Sequence, residues 1–157
     1  MFNGGKSMFI IVVIALCFSL AFGCGGADQT KEKAKAKSGA EVTYIEDKST
    51  VSQAKADGAK KEVATIKEVK KVRGASVDND IYLALTVEGF DRFFLERIRS
   101  DAQKKVSNKY PKENVHITTD SKISSDLEKL EKKLSKDGVK KADLKTDLKE
   151  VEDDMKG

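Results

Sequence analysis

Few side chains in this 157-residue sequence have the type and spacing that catalysis or metal binding requires. The only histidine, His116, lies within an alternating apolar segment, and no second histidine is present to complete a zinc site. Asp78, Asn79 and Asp80 offer oxygen ligands, but the glycine and the terminal glutamate of a calcium-binding loop are missing. We therefore interpret His116 as a half-exposed strand residue and Asp78 to Asp80 as a turn. We predict no catalytic residue, no metal and no cofactor.

Cys24 is the residue best suited to a covalent modification, because it ends an apolar leader. Residues 1–7 carry one basic residue, Lys6, and no acid, and residues 8–22 are almost entirely apolar. This layout predicts a secretory signal peptide over residues 1–23. The apolar run is shorter than the roughly 20 residues that cross a bilayer, and a permanent transmembrane anchor is the alternative interpretation.

The residues around Cys24 also resemble a bacterial lipobox, with the sequence LAFGC at 20–24. In such a motif the cysteine thiol receives a diacylglyceryl group, and cleavage then exposes an amine for a further acyl chain such as palmitate. Two or more acyl chains hold a protein at a bilayer surface. We predict Cys24 as the lipid-attachment residue, with the protein anchored on the outer face of the cytoplasmic membrane. Cys17, inside the apolar run, is interpreted as an ordinary leader residue.

Composition after Cys24 excludes several classes of function. Basic and acidic residues number 7 and 6 over residues 25–60, 12 and 10 over 61–120, and 10 and 10 over 121–157. No segment is a basic patch, so a nucleic-acid partner is not expected. The small number of core-forming residues excludes a large enzyme. The sequence also lacks a Gly-rich phosphate-binding loop, so it gives no indication of a small-molecule substrate.

Periodicity divides the remaining chain into a tether, a core domain and a helical hairpin. Residues 24–60, beginning with the lipidated cysteine, are rich in Lys, Ala, Gly and Ser and predict a flexible tether. Residues 61–120 predict an α+β domain, a small α-β-β-α-β sandwich of BON or ferredoxin-like type with two helices on one apolar face. The predicted elements are a helix at 60–71, strands at 72–77 and 81–87, a helix at 92–108 capped by Asp91, and a strand at 115–119.

Three phenylalanines follow the second strand, at Phe90, Phe93 and Phe94. We expect all three to pack in the core; the alternative is that Phe90 or Phe93 is exposed as a membrane or partner contact. The other predicted core positions share the helical or alternating spacing, and they are Val63, Ile66, Val69, Val77, Ile81, Leu83, Leu85, Leu95, Ile98, Ala102, Val106, Val115 and Ile117.

Residues 121–157 predict two helices with narrow apolar seams, the first starting at a capping box of Ser125 and Glu128. Gly138 is suited to the left-handed position between them. The pair could close on itself, dock on the core domain or bind a partner helix, and we expect self-closure.

Several segments together resemble the YhcN/YlaJ-type sporulation lipoproteins of endospore-forming Bacillota. They are IKEVKKV at 66–72, ASVDNDIYLAL at 75–85, the Lys-rich helix after them, and VHITTD at 115–120. The resemblance covers about residues 61–135 and the leader. It implies expression during sporulation, a location at the forespore or spore inner membrane, and a supporting role in germination or outgrowth.

We therefore expect a non-enzymatic protein whose acylated Cys24 binds membrane lipid. The alternative is a lipid-anchored interaction adaptor that recruits a protein partner through its C-terminal helices. An enzyme acting on envelope polymers is disfavoured, because no catalytic constellation is visible.

Overall fold

A mixed β-sheet organises the described part of the chain, which comprises residues 39–136 and 138–156 of a computed structural model. Two short 3-10 segments, Glu46–Lys48 and Gly89–Phe94, accompany the regular elements. In chain order these elements are β1 (Glu41–Val42), α1 (Ala54–Val63), β2 (Val69–Val77), β3 (Asp80–Val87), α2 (Leu95–Lys109), β4 (Asn114–Thr118), α3 (Ser121–Leu134) and α4 (Lys141–Lys156).

The strands lie in the order β1-β2-β3-β4, with β1 parallel to β2, β2 antiparallel to β3, and β3 parallel to β4. The turn between β2 and β3 places Asp78 at a φ of 53°, the left-handed conformation that Asp and Asn tolerate best. A bulge between Val69 and Lys71 changes the alternation of β2. As a result Val69 and Val72 share one face although they are three residues apart.

Helices α1 and α2 cover the first face of the sheet, as the sequence predicted. Ile98, Ala102 and Val106 of α2 are fully buried, because their spacing gives the helix one apolar stripe. They pack against Ile81, Leu83 and the other inward residues of β3. Leu95, Val115 and Ile117 are partly buried at the margin of this core.

Helices α3 and α4 cover the opposite face, which the sequence analysis left open. The apolar seams of both helices are buried against Ala75, Val77, Tyr82 and Ala84 of the hairpin. The two helices also contact each other, and Lys133 Nζ lies 2.6 Å from Asp147 Oδ2. The helical hairpin therefore both closes on itself and docks on the sheet. The α+β class is confirmed, and the described domain has helices on both faces of its sheet.

The predicted tether is wrong for residues 39–60. Val42 pairs with Val72 in the sheet, Val42 and Ile45 are fully buried, and α1 begins at Ala54. The buried face of α1 includes Ala56 and Ala59, both fully buried. Because alanines give little apolar periodicity, the Lys- and Ala-rich sequence of this helix resembled that of a flexible spacer. Residues 24–38 lie outside the described residues, and so does the predicted signal peptide.

Three predicted helix boundaries are also wrong. Helix α1 ends at Val63, so Ile66 belongs to the connection and Val69 to β2. Asp91 does not cap α2, because it lies inside the 3-10 segment Gly89–Phe94 and α2 begins only at Leu95. Helix α3 is capped by Asp120, whose carboxylate accepts the Lys122 and Ile123 amides, so the box at Ser125 and Glu128 lies inside the helix. Gly138 is left-handed as predicted, at a φ of 95°.

Candidate functional site

The predicted lipid-attachment residue, Cys24, lies outside the described residues. The described chain begins at Gly39, next to β1. Among the described residues, no helix combines the length and the apolar composition needed to cross a membrane.

His116 stacks on Tyr82, with ring centroids 4.5 Å apart and ring planes within 9° of parallel. Its Nε2 lies 3.5 Å from Asp80 Oδ1, and its side chain is partly exposed. Burial raises the pKa of the Tyr82 hydroxyl, and the nearby carboxylates of Asp80 and Glu152 raise it further. A Tyr82 hydroxyl that stays protonated can donate to Glu152 Oε2, 3.3 Å away. Tyr82 of β3 therefore contacts both His116 of β4 and Glu152 of α4.

The turn residue Asp78 is neutralised by lysines of α4. Its carboxylate contacts Lys141, and Lys145 Nζ lies 3.4 Å from Oδ2. The hydrogen bond from Lys141 lowers the pKa of Asp78 most strongly. Within residues 39–136 and 138–156, no group of three or more His, Cys, Asp or Glu side chains is placed to hold a metal ion.

A buried ionic cluster joins three elements, and no pattern in the sequence indicated it. Lys60 of α1 is fully buried, with its Nζ 2.7 Å from Asp57 Oδ1 and 3.1 Å from Glu131 Oε1 of α3. Glu131 Oε1 also accepts the Gly74 amide of β2 at 2.9 Å, and Arg73 Nη1 lies 3.7 Å from Oε2.

Each charge in this cluster has a partner, which is how buried charges are tolerated. Asp57 Oδ2 accepts the Ile45 and Glu46 amides at 2.8 Å each. Burial raises the pKa of Glu131, although Lys60, the Gly74 amide and Arg73 act in the opposite direction. The cluster holds α1, β2 and α3 in register, so we assign it to the fold.

Two surface grooves of the described domain are lined mainly by charged and polar side chains. One, of about 270 Å³, lies between α3 and α4 and is lined mainly by Asp, Glu and Lys side chains, including Lys129 and Asp147. A second, of about 390 Å³, adjoins the β2–β3 turn at Asp78 and Lys55. Neither is lined predominantly by the hydrophobic and aromatic side chains that are typical of small-molecule sites.

The three phenylalanines are exposed, so the prediction that they pack in the core is wrong. Phe90, Phe93 and Phe94 are 85%, 82% and 52% exposed. Gly89 takes a φ of 62° and directs the chain away from the sheet into the 3-10 segment. Helix α2 starts only at Leu95, so the aromatic rings precede its buried stripe.

A comparison with protein families decides the assignment. The model of the family described as Sporulation lipoprotein YhcN/YlaJ matches residues 23–155. The chain belongs to this family. Comparisons with curated proteins and with solved structures gave no match.

Membership makes this YhcN/YlaJ protein a sporulation lipoprotein, and its lipid holds it at a membrane. The match begins at residue 23, so it includes Cys24. It also extends to residue 155, near the end of α4, whereas the sequence resemblance ended near residue 135. The helices on the second face of the sheet therefore lie within the range that the family model matches.

Proposed function

We propose that this protein is anchored through an acylated Cys24 to the outer face of the cytoplasmic membrane, and to the inner membrane of the spore. There it supports germination or outgrowth without catalysing a reaction. The observation that carries the proposal is the family match beginning at residue 23, beside the one cysteine outside the apolar leader.

The described side chains support a non-enzymatic role. The buried ionisable groups Lys60, Arg73 and Glu131 pair with one another and with backbone groups, so none is free to exchange protons with a substrate. His116 stacks on Tyr82, and its Nε2 faces the Asp80 carboxylate at 3.5 Å.

The packing of α3 and α4 disfavours the adaptor alternative. Pairing with a partner helix requires an unoccupied apolar seam. In this chain Leu127 and Leu134 of α3, and Leu144 and Leu148 of α4, are buried in the second core. The outward faces of these helices carry lysine and acidic side chains, which pair along and between the helices.

Germination kinetics of a deletion strain test this proposal. We expect spores lacking the protein to lose optical density more slowly after addition of a nutrient germinant. The wild-type gene and a Cys17→Ala control should restore the rate, whereas Cys24→Ala should not. Normal germination and outgrowth of the deletion strain, or expression confined to vegetative growth, would overturn the supporting role.

A further inference from the structure

The exposed segment Gly89–Phe94 presents three aromatic rings to solvent at one place. Single exposed apolar residues are common on soluble domains, but adjacent large ones mark interaction surfaces. Phe94 also lies beneath the Arg97 guanidinium, whose carbon is 5.5 Å from the ring centroid. We call Phe90, Phe93 and Phe94 the Phe turn.

Strand register places the Phe turn at the end of the sheet where the described chain begins. Glu41 pairs with Lys71 in parallel, so Gly39 and Ala40 precede β1 beside the start of β2. Val69, at that start, pairs with Val87, the last residue of β3. We call this the proximal end.

The opposite end of the sheet, the distal end, carries the β2–β3 turn and the loop before β4. There the Asn114 amide donates to the Asn79 carbonyl at 2.8 Å.

The chain that precedes the proximal end restricts how far the Phe turn can be from a membrane. Fifteen residues, 24–38, separate the predicted lipid-attachment site from Gly39. Even a fully extended chain of that length spans only about 50 Å. An anchored domain is therefore kept at high effective concentration next to the bilayer, where a weak apolar contact becomes significant.

Charge indicates which kind of contact this surface makes. Residues 88–99 contain three arginines (Arg92, Arg97 and Arg99) and three acids (Glu88, Asp91 and Glu96). Arg97 is further engaged by Glu68 Oε1 at 2.7 Å. With the charges balanced, attraction to anionic headgroups is not the driving force, whereas exposed aromatic rings favour the interfacial region of any bilayer.

We infer that the Phe turn inserts into the interfacial region of the phospholipid bilayer to which Cys24 anchors the protein. This inference rests on the proposed anchoring. It gives the domain a fixed orientation, in which the proximal end lies on the lipid. The distal end, where lysines of α4 contact Asp78, faces away from the bilayer.

A single tryptophan can report this insertion, because the chain contains none. The lipidated full-length Phe93→Trp protein is reconstituted into phosphatidylcholine vesicles and recovered by flotation. An indole about 5–10 Å into the headgroup and acyl boundary should emit at shorter wavelength, and phosphatidylcholine brominated along its acyl chains should reduce its fluorescence about twofold. The same reduction in fluorescence is expected at high salt, because salt screens attraction between charges and does not weaken an apolar contact.

Lys112→Trp is the matched control, since Lys112 is exposed in the loop at the distal end. Its emission should be that of water-exposed indole and should not respond to bromination. Replacing Phe90 and Phe94 with Ser in the Phe93→Trp protein should reduce the quenching while flotation persists.

Three outcomes would overturn the inference, and they differ from one another. If the protein floats but neither indole is quenched, the protein is anchored but the Phe turn does not insert. That result would indicate that the Phe turn contacts a protein partner. A blue shift without bromine quenching that grows with protein density would indicate contact between two copies. A protein that does not float with the vesicles contradicts the anchoring itself.

Discussion

Lys60 and Glu131 form a buried ion pair that joins α1 to α3 across 71 positions of sequence. The sequence could not predict it, because each residue lies in a segment rich in lysine and acids, where a charge ordinarily faces solvent. Only the packing of α3 on the second face brings the two together. His116, by contrast, was correctly placed mid-strand from alternation alone, although its stack on Tyr82 depends on the register of β4.

Replacing Lys60 with Met should destabilise the domain strongly. The change removes the ammonium group that pairs with the Asp57 and Glu131 carboxylates, and breaking a buried ion pair in this way costs about 3–5 kcal/mol. Urea unfolding followed by circular dichroism measures the difference. Lys61→Met is the control, because Lys61 is exposed and the same change there should alter the free energy of unfolding by less than about 0.5 kcal/mol. Equal stabilities of the two variants would show that Lys60 is not buried in a pair.

Glu131 gives a pH dependence of defined sign. Burial raises its pKa in the folded state above the ordinary 4.5, so the folded protein binds that proton more tightly than the unfolded chain. This group's stabilising contribution is full below pH 4.5 and decreases as the pH rises through the raised pKa. Comparing wild type with Glu131→Gln from pH 4 to 7, we expect the difference in free energy of unfolding to decline. A difference that grows with pH would contradict the raised pKa.

At the scale of elements, α2 and the β2–β3 hairpin were predictable because their apolar residues follow one period each. Helix α1 was misplaced because, apart from Val63 at its end, its buried residues are alanines, Asp57 and Lys60, which carry little hydrophobic signal. Strand β1 pairs with β2 only at Lys71 and Val72 and does not extend to Ser76. There the side chain of Gln53 accepts from the Ser76 amide and donates to the Ser76 carbonyl, at 2.9 Å each. The periodicity of apolar residues does not predict a contact of this kind.

The docking of α4 predicts the effect of truncating its seam. Leu148 is 1% exposed in the second core, so Leu148→Ala should cost about 2–5 kcal/mol through lost burial and the cavity left behind. Lys149→Ala, one position further and exposed, should have little effect. Denaturant unfolding of both variants measures this. If Leu148→Ala were as stable as Lys149→Ala, α4 would not be packed on the sheet, and the adaptor alternative would regain its apolar seam.

At the scale of the whole molecule, the α+β class and the hairpin followed from the sequence, but the second covered face did not. The alternation along β3 assigned its side chains to two opposite faces of the sheet. Only tertiary packing decides whether the face with Tyr82 and Ala84 contacts water or helices. The Phe turn was mispredicted for a related reason, since aromatic residues are usually buried. Its exposure depends on where the chain leaves the sheet after Val87.

Changing the whole Phe turn should leave the stability of the molecule nearly unchanged. With Phe90, Phe93 and Phe94 exposed, each replacement by Ser should change the free energy of unfolding by no more than about 0.5 kcal/mol. Core phenylalanines would cost about 3–5 kcal/mol on truncation to Ala. Thermal and urea unfolding of the triple variant therefore separate a surface role from a packing role. A large loss of stability would mean that these rings are buried after all.

Mass spectrometry of the amino-terminal peptide from the membrane fraction tests the central claim, that a lipid on Cys24 holds this protein at a membrane. The account predicts a chain that begins at Cys24 and carries a diacylglyceryl group on its thiol. It also predicts that Cys24→Ala is either released or left unprocessed, while Cys17→Ala behaves as wild type. An unmodified amino terminus beyond residue 24 on the membrane-bound protein, or a processed Cys24→Ala protein retained at the wild-type level, would contradict the account.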